Sequence, residues 1–461
     1  MTCSLPFVAA LIGLFAAGCA VGPDYRRPEL PLPEKYAASE QSADKASFAD
    51  SNWREVFTDP QLQALIDEAL AAGPDALLAA ARLREAEALA GVTRAPLFPQ
   101  ASLSLNTSPT VHRSGEQFTS SFMGGAGISW EIDLWGRYRR ASEAAQAELV
   151  ANEAARDGMN ASLVAQVARA YFTLAALHDT LAITERSARN QGDVLGLIKR
   201  LSAAGIASAA EERQQESALA ATEAAIPTLK RQIAETETAI ALLLGRHPGR
   251  LPVSGPPALA LPGFVPPGLP SRLLEQRPDI RQAEARLVAA NARVGEAKAL
   301  FFPNLSLTAM FGGVSTSLAD VVHGRAPSVA SLGPNLLMPL FAGGRIYFNK
   351  AAAEARLEQA LIGYRKTIDN ALGEVANGLA AYETSNELMD VQARRVVAAR
   401  EAMRLADLRF RSGTTSFLEV LDAQRQLLSA ETQEVQALLE RRQALITVYL
   451  ALGGGWQSTA R

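Results

Sequence analysis

Cysteine is nearly absent from the 461 residues: only Cys3 and Cys19 occur, both at the very start. Aromatic residues are scarce, at 6%, and alanine is abundant, which favours long, closely packed helices over a bulky globular core. There is no excess of basic charge. The formal net charge is -3, whereas a nucleic-acid binder needs a basic surface, so no nucleic-acid partner is expected. Histidine occurs four times, as His112, His178, His247 and His323. These are far apart, without metal-ligand spacing, and belong on loops or helix surfaces. No phosphate-binding glycine loop occurs, since the "GGAG" at 124–127 leads into no lysine. Nor is there a Gly-x-Ser-x-Gly nucleophile turn. The sequence therefore predicts no enzyme, no catalytic residues, no metal site and no cofactor beyond a covalent lipid.

The opening "MTCSLPFVAALIGLFAAGC" lacks Lys and Arg but has the apolar core and small-residue end of a secretory signal over 1–18. It is too short to span a bilayer comfortably. "Ala16-Ala17-Gly18-Cys19" resembles a bacterial lipobox, with alanine where the commonest version has leucine. That resemblance implies cleavage before Cys19, acylation of its sulfur and no remaining free thiol. Ala20 follows in place of an aspartate, which permits transfer to the outer membrane. The alternative is an ordinary secretory signal with a stray cysteine.

The chain contains itself twice. "PDALLAAARLREAEALAGVTRAPLFPQASL" (74–103) aligns without a gap on "PDIRQAEARLVAANARVGEAKALFFPNLSL" (278–307), with 14 of 30 positions identical and an offset of 204. Downstream the offset becomes 208: "WGRYRRASEAA" at 135 meets "GGRIYFNKAAA" at 343, and "LSAAGIASAAEE" at 201 meets "RFRSGTTSFLEV" at 409. The four-residue change falls within the strand-like region, where loop length is free to vary. Eight prolines between His247 and Ser271 mark an extended connector. Each half is thus expected to be one structural unit. The divisions are a signal peptide (1–18), a lipidated N-terminal segment and equatorial region (19–73), a first repeat (74–245), a linker (246–271), a second repeat (272–453) and a tail (454–461).

Within one repeat, 74–95 reads as a helix begun at Pro74-Asp75 and ended by Pro96 and Pro99. The pattern then changes to period two, with strand pairs expected at about 100–134 and about 303–341. Leu103 and Leu105 alternate with Ser102, Ser104 and Asn106. Phe118, Phe122, Ile128, Trp130 and Ile132 alternate with Thr119, Ser121, Ser129, Glu131 and Asp133. Each run is about the 9–11 residues that a tilted strand needs to cross a bilayer. Trp130 and Trp135 suit a membrane-interface belt. A soluble hairpin with one buried face is the alternative; the exported, lipidated setting favours the membrane.

Proline is then missing from 110–226 and from everything after Pro339. Residues 137–204 can form one helix on the order of 100 Å long. Leu163, Val167, Ala170, Leu174, Leu177 and Leu181 keep a heptad seam; Leu357, Leu361, Tyr364, Ile368, Ala371, Val375 and Tyr382 repeat it. Gly205 and Gly413 mark turns into returning helices, and Pro227 is expected to break the first of these in two. On this feature alone a plain coiled coil fits as well. Four amphipathic strands cannot close a barrel alone, and open edges are not tolerated in lipid. Two copies give eight strands, a barrel filled by side chains; three give twelve and leave a lumen.

"NWREVFTDPQLQALIDEAL", "EIDLWGRYRR", "RPDIRQAEARLVAANARVGEAKALFFPNLSL", "PLFAGGR" and "FRSGTTSFLEVLDAQRQLL" together resemble the TolC-type outer-membrane efflux proteins, specifically the lipoprotein branch serving resistance-nodulation-division (RND) pumps. The resemblance spans nearly the whole mature chain. It implies a mainly α fold with a transmembrane β-barrel portion: a homotrimer with a twelve-stranded barrel in the outer membrane and a twelve-helix tunnel in the periplasm. The implied role is a passive exit duct for drugs and small solutes. Its implied partners are outer-membrane lipid, a periplasmic adaptor (membrane fusion) protein and an inner-membrane RND transporter. The same matching places Gly205 and Gly413 at the periplasmic tip, and Glu419 and Asp422 where the family carries constricting carboxylates. Three copies of these acids about one axis favour cation passage; the alternative is that both are solvated surface acids. Glu211 matches an acid that in some members bonds a tyrosine, but Phe410 stands at the tyrosine position and Thr415 where some members have arginine. That lock cannot form here, so closure must rest on packing or other pairs. Two further readings share the sequence: a type I secretion duct, and a structural coiled-coil lipoprotein without a channel.

Overall fold

The computed structural model describes residues 20–33, 36, 47–111, 118–250, 262 and 264–454, with no side chains over 109–119. The signal segment, Cys19, linker residues 251–261 and 263, His112 and the tail from residue 455 lie outside the described residues, as do the side chains of Phe118 and Thr119.

Each copy carries the same series of elements. The first holds α1 (Pro60–Ala72), α2 (Pro74–Arg94), β1 (Gln100–Val111), β2 (Phe118–Ile132), α3 (Arg137–Ala203) and α4 (Ala209–Leu243). The second holds α5 (Pro278–Ala299), β3 (Asn304–Ser315), a five-residue α6 (Leu318–Val322), β4 (Ser328–Leu337), α7 (Arg345–Arg411) and α8 (Phe417–Ala451). Both long helices have 67 residues and both returning helices 35. Their limits are related by the 208 offset at all four ends. The change from 204 to 208 occurs between the two strands of each hairpin.

The expected break at Pro227 is absent, because α4 runs through it. Proline in a helix removes one amide donor and crowds the carbonyl four residues earlier, at a cost of about 3 kcal/mol. Here Pro227 and Glu223 are both exposed, so water can satisfy the freed carbonyl. Gln215, Thr222, Ile233 and Ile240 bury the opposite side and hold the helix together.

Repeats and compact units do not coincide. One unit comprises Met1–Leu30, Arg82–Glu153 and Gln282–Lys366; the other comprises Pro31–Ala81, Ala154–Arg281 and Thr367–Arg461. Each mixes both copies, because a helix of 67 residues is too long to serve one core. In the first unit the strands form a single antiparallel sheet in the order β1-β2-β3-β4. The β2–β3 pair joins copy to copy, from Phe122↔Ser315 to Ile132↔Leu305.

The second unit has the apolar core. Asp59 caps α1, accepting from the Gln61 amide at 2.9 Å, and Pro60 occupies the first helical position. Leu62, Ile66 and Ala69, at spacings of four and three, are then fully buried. They join a cluster with Leu163, Val167, Tyr171, Phe172 and Leu174 of α3, Ile240 of α4, and Ile446 and Tyr449 of α8. Each fully buried Leu or Ile contributes about 1.5–3 kcal/mol. The Tyr171 hydroxyl donates to Asp59 at 3.0 Å. The seam in α7 buries Tyr364, Ile368, Ala371, Val375 and Tyr382.

Candidate channel wall, anchor and tip

The sheet's pairing assembles one apolar face from four strands. Residues opposite one another share a face, so the rows Ala101–Ile128–Ala309–Leu332 and Leu103–Ala126–Phe311–Ala330 lie together. Leu307 pairs with Trp130 and Pro334, and Leu305 with Ile132 and Leu336, on the same side. The other side carries Gln100, Ser129, Thr308 and Gly333 in one row and Ser102, Gly127, Met310 and Ser331 in the next. Leu103 is 87% and Leu332 75% exposed, so the apolar face has no cover within this chain at these positions. On the small-residue side, a Cβ on Gly125 would stand 2.5 Å from the Phe311 carbonyl oxygen. One on Gly312 would stand 2.2 Å from that of Gly124. Only glycine fits at this pair, where the strands crowd most tightly.

Aromatic residues collect where the strands meet the helices. The Trp130 indole donates to the Leu97 carbonyl at 3.0 Å, and that of Trp135 to the Pro303 carbonyl at 2.8 Å. Trp135 stacks on Phe302 with centroids 4.7 Å apart. Glu131 accepts from Arg137 at 3.2 Å and from the Tyr138 hydroxyl at 2.9 Å. Burial, followed by that bond to Glu131, pushes the Tyr138 hydroxyl up, so it stays protonated and donates. Asp133 accepts from the Arg139 amide at 2.8 Å. Phe341 (91% exposed), Tyr347 and Phe348 also stand open here. Sequence reasoning passed over these three; the available signal was an aromatic run around "AGGR", where polar residues would be ordinary.

The residues after Cys19 form a strap on the same unit. A Cβ on Gly136 would lie 2.8 Å from the Ala20 Cα, and one on Gly22 would lie 2.4 Å from the Gly295 Cα. The Val21 amide donates to the Trp135 carbonyl at 3.0 Å. Asn291 donates to the Pro23 carbonyl at 2.9 Å, and Arg140 to Asp24 at 2.8 Å. Arg27 grips Glu284 with two bonds, at 2.6 and 2.7 Å, and the Tyr25 hydroxyl adds a third at 3.1 Å. Ala20 is thereby fixed beside the end of β2.

At the far ends of α3 and α7 the two turns are alike. Gly205 and Gly413 have φ of 73° and 74°, and a side chain at either would meet nothing within 4 Å. Backbone conformation, not space, demands glycine there. The Gly205 amide bonds the Ser202 carbonyl at 2.9 Å, and that of Gly413 the Phe410 carbonyl at 2.9 Å. Amides of Ile206 and Thr414 reach back to Leu201 and Arg409, which completes a Schellman turn in each.

The carboxylates at these turns differ in their company. Glu211 accepts from the Ser208 amide at 2.8 Å while its own amide donates to the Ser208 hydroxyl at 3.2 Å, a capping box. Glu419 accepts from Arg409 at 2.7 Å and from the Thr415 hydroxyl. Asp422 is exposed and has no bond or ion pair to the described residues. Phe410 meets Phe417 edge to face, with centroids 5.5 Å apart. Phe417 is fully buried among Ile198, Ala406, Val420 and Leu421. Phe410 and Thr415 therefore each have a local partner, and Glu211 is occupied with its own helix.

Sequence reasoning did not assign Arg277, of the "RPDI" stretch, a role. It is buried and donates to the Ala451 carbonyl at 2.8 Å, to Asp279 at 2.7 Å and to Glu374 at 2.7 Å, tying α5, α7 and α8 together. Among the described residues, no group of three His, Cys, Asp or Glu side chains could hold a metal ion. No described helix is long and apolar enough to cross a membrane. His178, His247 and His323 are exposed.

Residues 65–246 and 269–454 match the family described as "Outer membrane efflux protein". The chain is 32% identical over 462 residues to the cation efflux system protein CusC of Escherichia coli O6:H1, covering 98% of each chain. It is 34% identical over 468 residues to the solvent efflux pump outer membrane protein SrpC of Pseudomonas putida, again covering 98% of each. The crystal structure of the open state of the MtrE outer membrane channel of Neisseria gonorrhoeae superposes with a TM-score of 0.85 at 31% identity, covering 95% of this chain and 99% of that one.

Proposed function

Because the chain belongs to the outer membrane efflux protein family, we propose that three copies form a passive duct across the outer membrane and serve an RND-type efflux system. The sheet crosses the membrane and the helical hairpins reach into the periplasm. There the tips meet a periplasmic adaptor that joins the duct to an inner-membrane RND transporter. One observation carries this reading: the apolar face runs in register through all four strands, and the sheet ends in two edges, β1 and β4. In lipid such edges must pair. Twelve strands from three chains satisfy them and leave a bore lined mainly by small and polar residues such as Ser102, Ser129, Thr308 and Gly333.

The strap supports lipidation of Cys19. It holds Ala20 against Gly136, next to Trp135 between β2 and α3, one residue from the cysteine that would carry the acyl chain. Cys19→Ser is expected to abolish labelling by radioactive palmitate; persistent labelling refutes the anchor. At the tip, Asp422 has no cationic partner among the described residues, while Glu419 shares its charge with Arg409. Asp422, with Glu419, sets the cation preference of the closed end. The test of the duct is direct: purified protein should have the mass of three chains and give ion conductance in planar bilayers. A lone, non-conducting chain overturns the proposal.

A further inference from the structure

The connection between β3 and β4 does not rise clear of the sheet; it folds back onto the sheet's apolar side. Gly124 and Gly313 face each other across β2 and β3 and leave a notch on that side, beside Leu105. A Cβ on Gly124 would lie 2.6 Å from Val321 Cγ1 and 3.2 Å from Leu105 Cδ1. A Cβ on Gly313 would lie 2.9 Å from the Ala326 Cβ. Val321 of α6 and Ala326 therefore fill the space that two side chains would take. Several of the connection's polar groups are satisfied locally, while the exposed Arg325 side chain has no bond or ion pair to the described residues and is long enough to reach for the headgroup level. Asp320 accepts from the Ser315 hydroxyl at 3.4 Å, and His323 Nδ1 lies 2.7 Å from the Ala319 carbonyl. The amides of Arg325 and Ala326 bond the Asp320 carbonyl at 2.8 and 3.0 Å. What remains outward includes Leu318, 42% exposed, and Val322, 67% exposed.

We infer that α6 is part of the lipid-facing surface, seated in the Gly124–Gly313 notch with Leu318 and Val322 among acyl chains of the outer leaflet. The inference rests on the barrel reading above. Height supports it. Gly124 is eight residues from Ile132, the helix-side end of β2, or about 27 Å along the strand. At the tilt of roughly 35–45° usual for such barrels, that is about 20 Å of rise, inside an apolar band about 25 Å tall. Position supports it too: α6 packs on the two central strands, not on the edges where neighbouring copies would join. Its apolar residues continue a surface on which Ile128 and Phe311 already stand exposed.

The test uses the full chain in vesicles containing nitroxide-labelled phosphatidylcholine, with an environment-sensitive fluorophore on Val322→Cys. Ile128→Cys marks the central apolar face, Thr308→Cys the other face, and the unsubstituted protein is the labelling blank. Fluorescence at 322 and at 128 should each fall at least twofold, and at 308 hardly at all. Quenching at 128 without quenching at 322 overturns the inference and leaves the barrel standing. No quenching at either position overturns the barrel reading itself. In a Gly124→Val background the notch is filled, so quenching at 322 should drop while that at 128 persists; unchanged quenching at 322 refutes the notch as the seat of α6.

Discussion

The two hairpin tips descend from one sequence, and they use the same letters differently. Both read Ser-x-x-Glu after the turn: Ser208 and Glu211 in the first, Ser416 and Glu419 in the second. In the first the pair closes a capping box; in the second the Ser416 side chain makes no cap bond. The cause is two substitutions between the copies. Where the second tip has Arg409 and Thr415, the first has Leu201 and Ala207. Arginine and threonine draw the carboxylate away from its helix end. A third difference, Phe417 against Ala209, lets the second tip supply the large side chain of a cluster that it shares with Ile198 and Ala207 of the first. In one tip the glutamate is therefore bound to its own helix start, in the other to neighbouring side chains. Both tips keep an acid without a cationic partner among the described residues, Glu211 in the first, whose capping bonds leave its charge in place, and Asp422 in the second.

That contrast can be broken at several points. Phe417→Ala should have the largest effect, about 3–5 kcal/mol of local stability, seen as faster amide exchange through 406–423 and, because Ile198 and Ala207 line the same cluster, at 198–215 as well; loosening confined to 406–423 would show that the tips are independent. Gly205→Ala and Gly413→Ala should cost about 1–2 kcal/mol each, since both force a Cβ into the left-handed region; a clear inequality in melting temperature would mean the turns are not equivalent. Ser208→Ala should cost about 1 kcal/mol and Ser416→Ala almost nothing, which exchange at the two helix starts measures. The smallest stability change comes from Arg409→Ala, at most about 1 kcal/mol for so exposed a pair. That variant should nonetheless raise cation preference in planar bilayers, whereas Asp422→Ala lowers it. If both leave reversal potentials unchanged, these acids do not gate.

Much of this was legible beforehand, for physical reasons. Long helices declare themselves by missing prolines and a repeated seam, and the offset of 208 locates their ends in both copies. Strand faces follow from period two. Other features were not legible. Pro227 was misread because its cost depends on whether water reaches the carbonyl at Glu223, which only packing decides. The five residues of α6 are too few for any periodicity, and the notch that seats them comes from glycines 189 positions apart. The tip acids could be placed by resemblance, but Ser-x-x-Glu does not say which partner the glutamate takes. Nor does a repeat say that its halves will interleave into shared bodies.

The strap has a consequence in time. Arg27 and Glu284 are 257 positions apart, so the clasp must wait until more than half the chain has been exported. Such distant closures are slow. On the anchor reading, Cys19 meets lipid long before its neighbours find their seat. The polypeptide would then mature on a leash, one end already moored while the other is still arriving, and the knot at Glu284 is tied among the last.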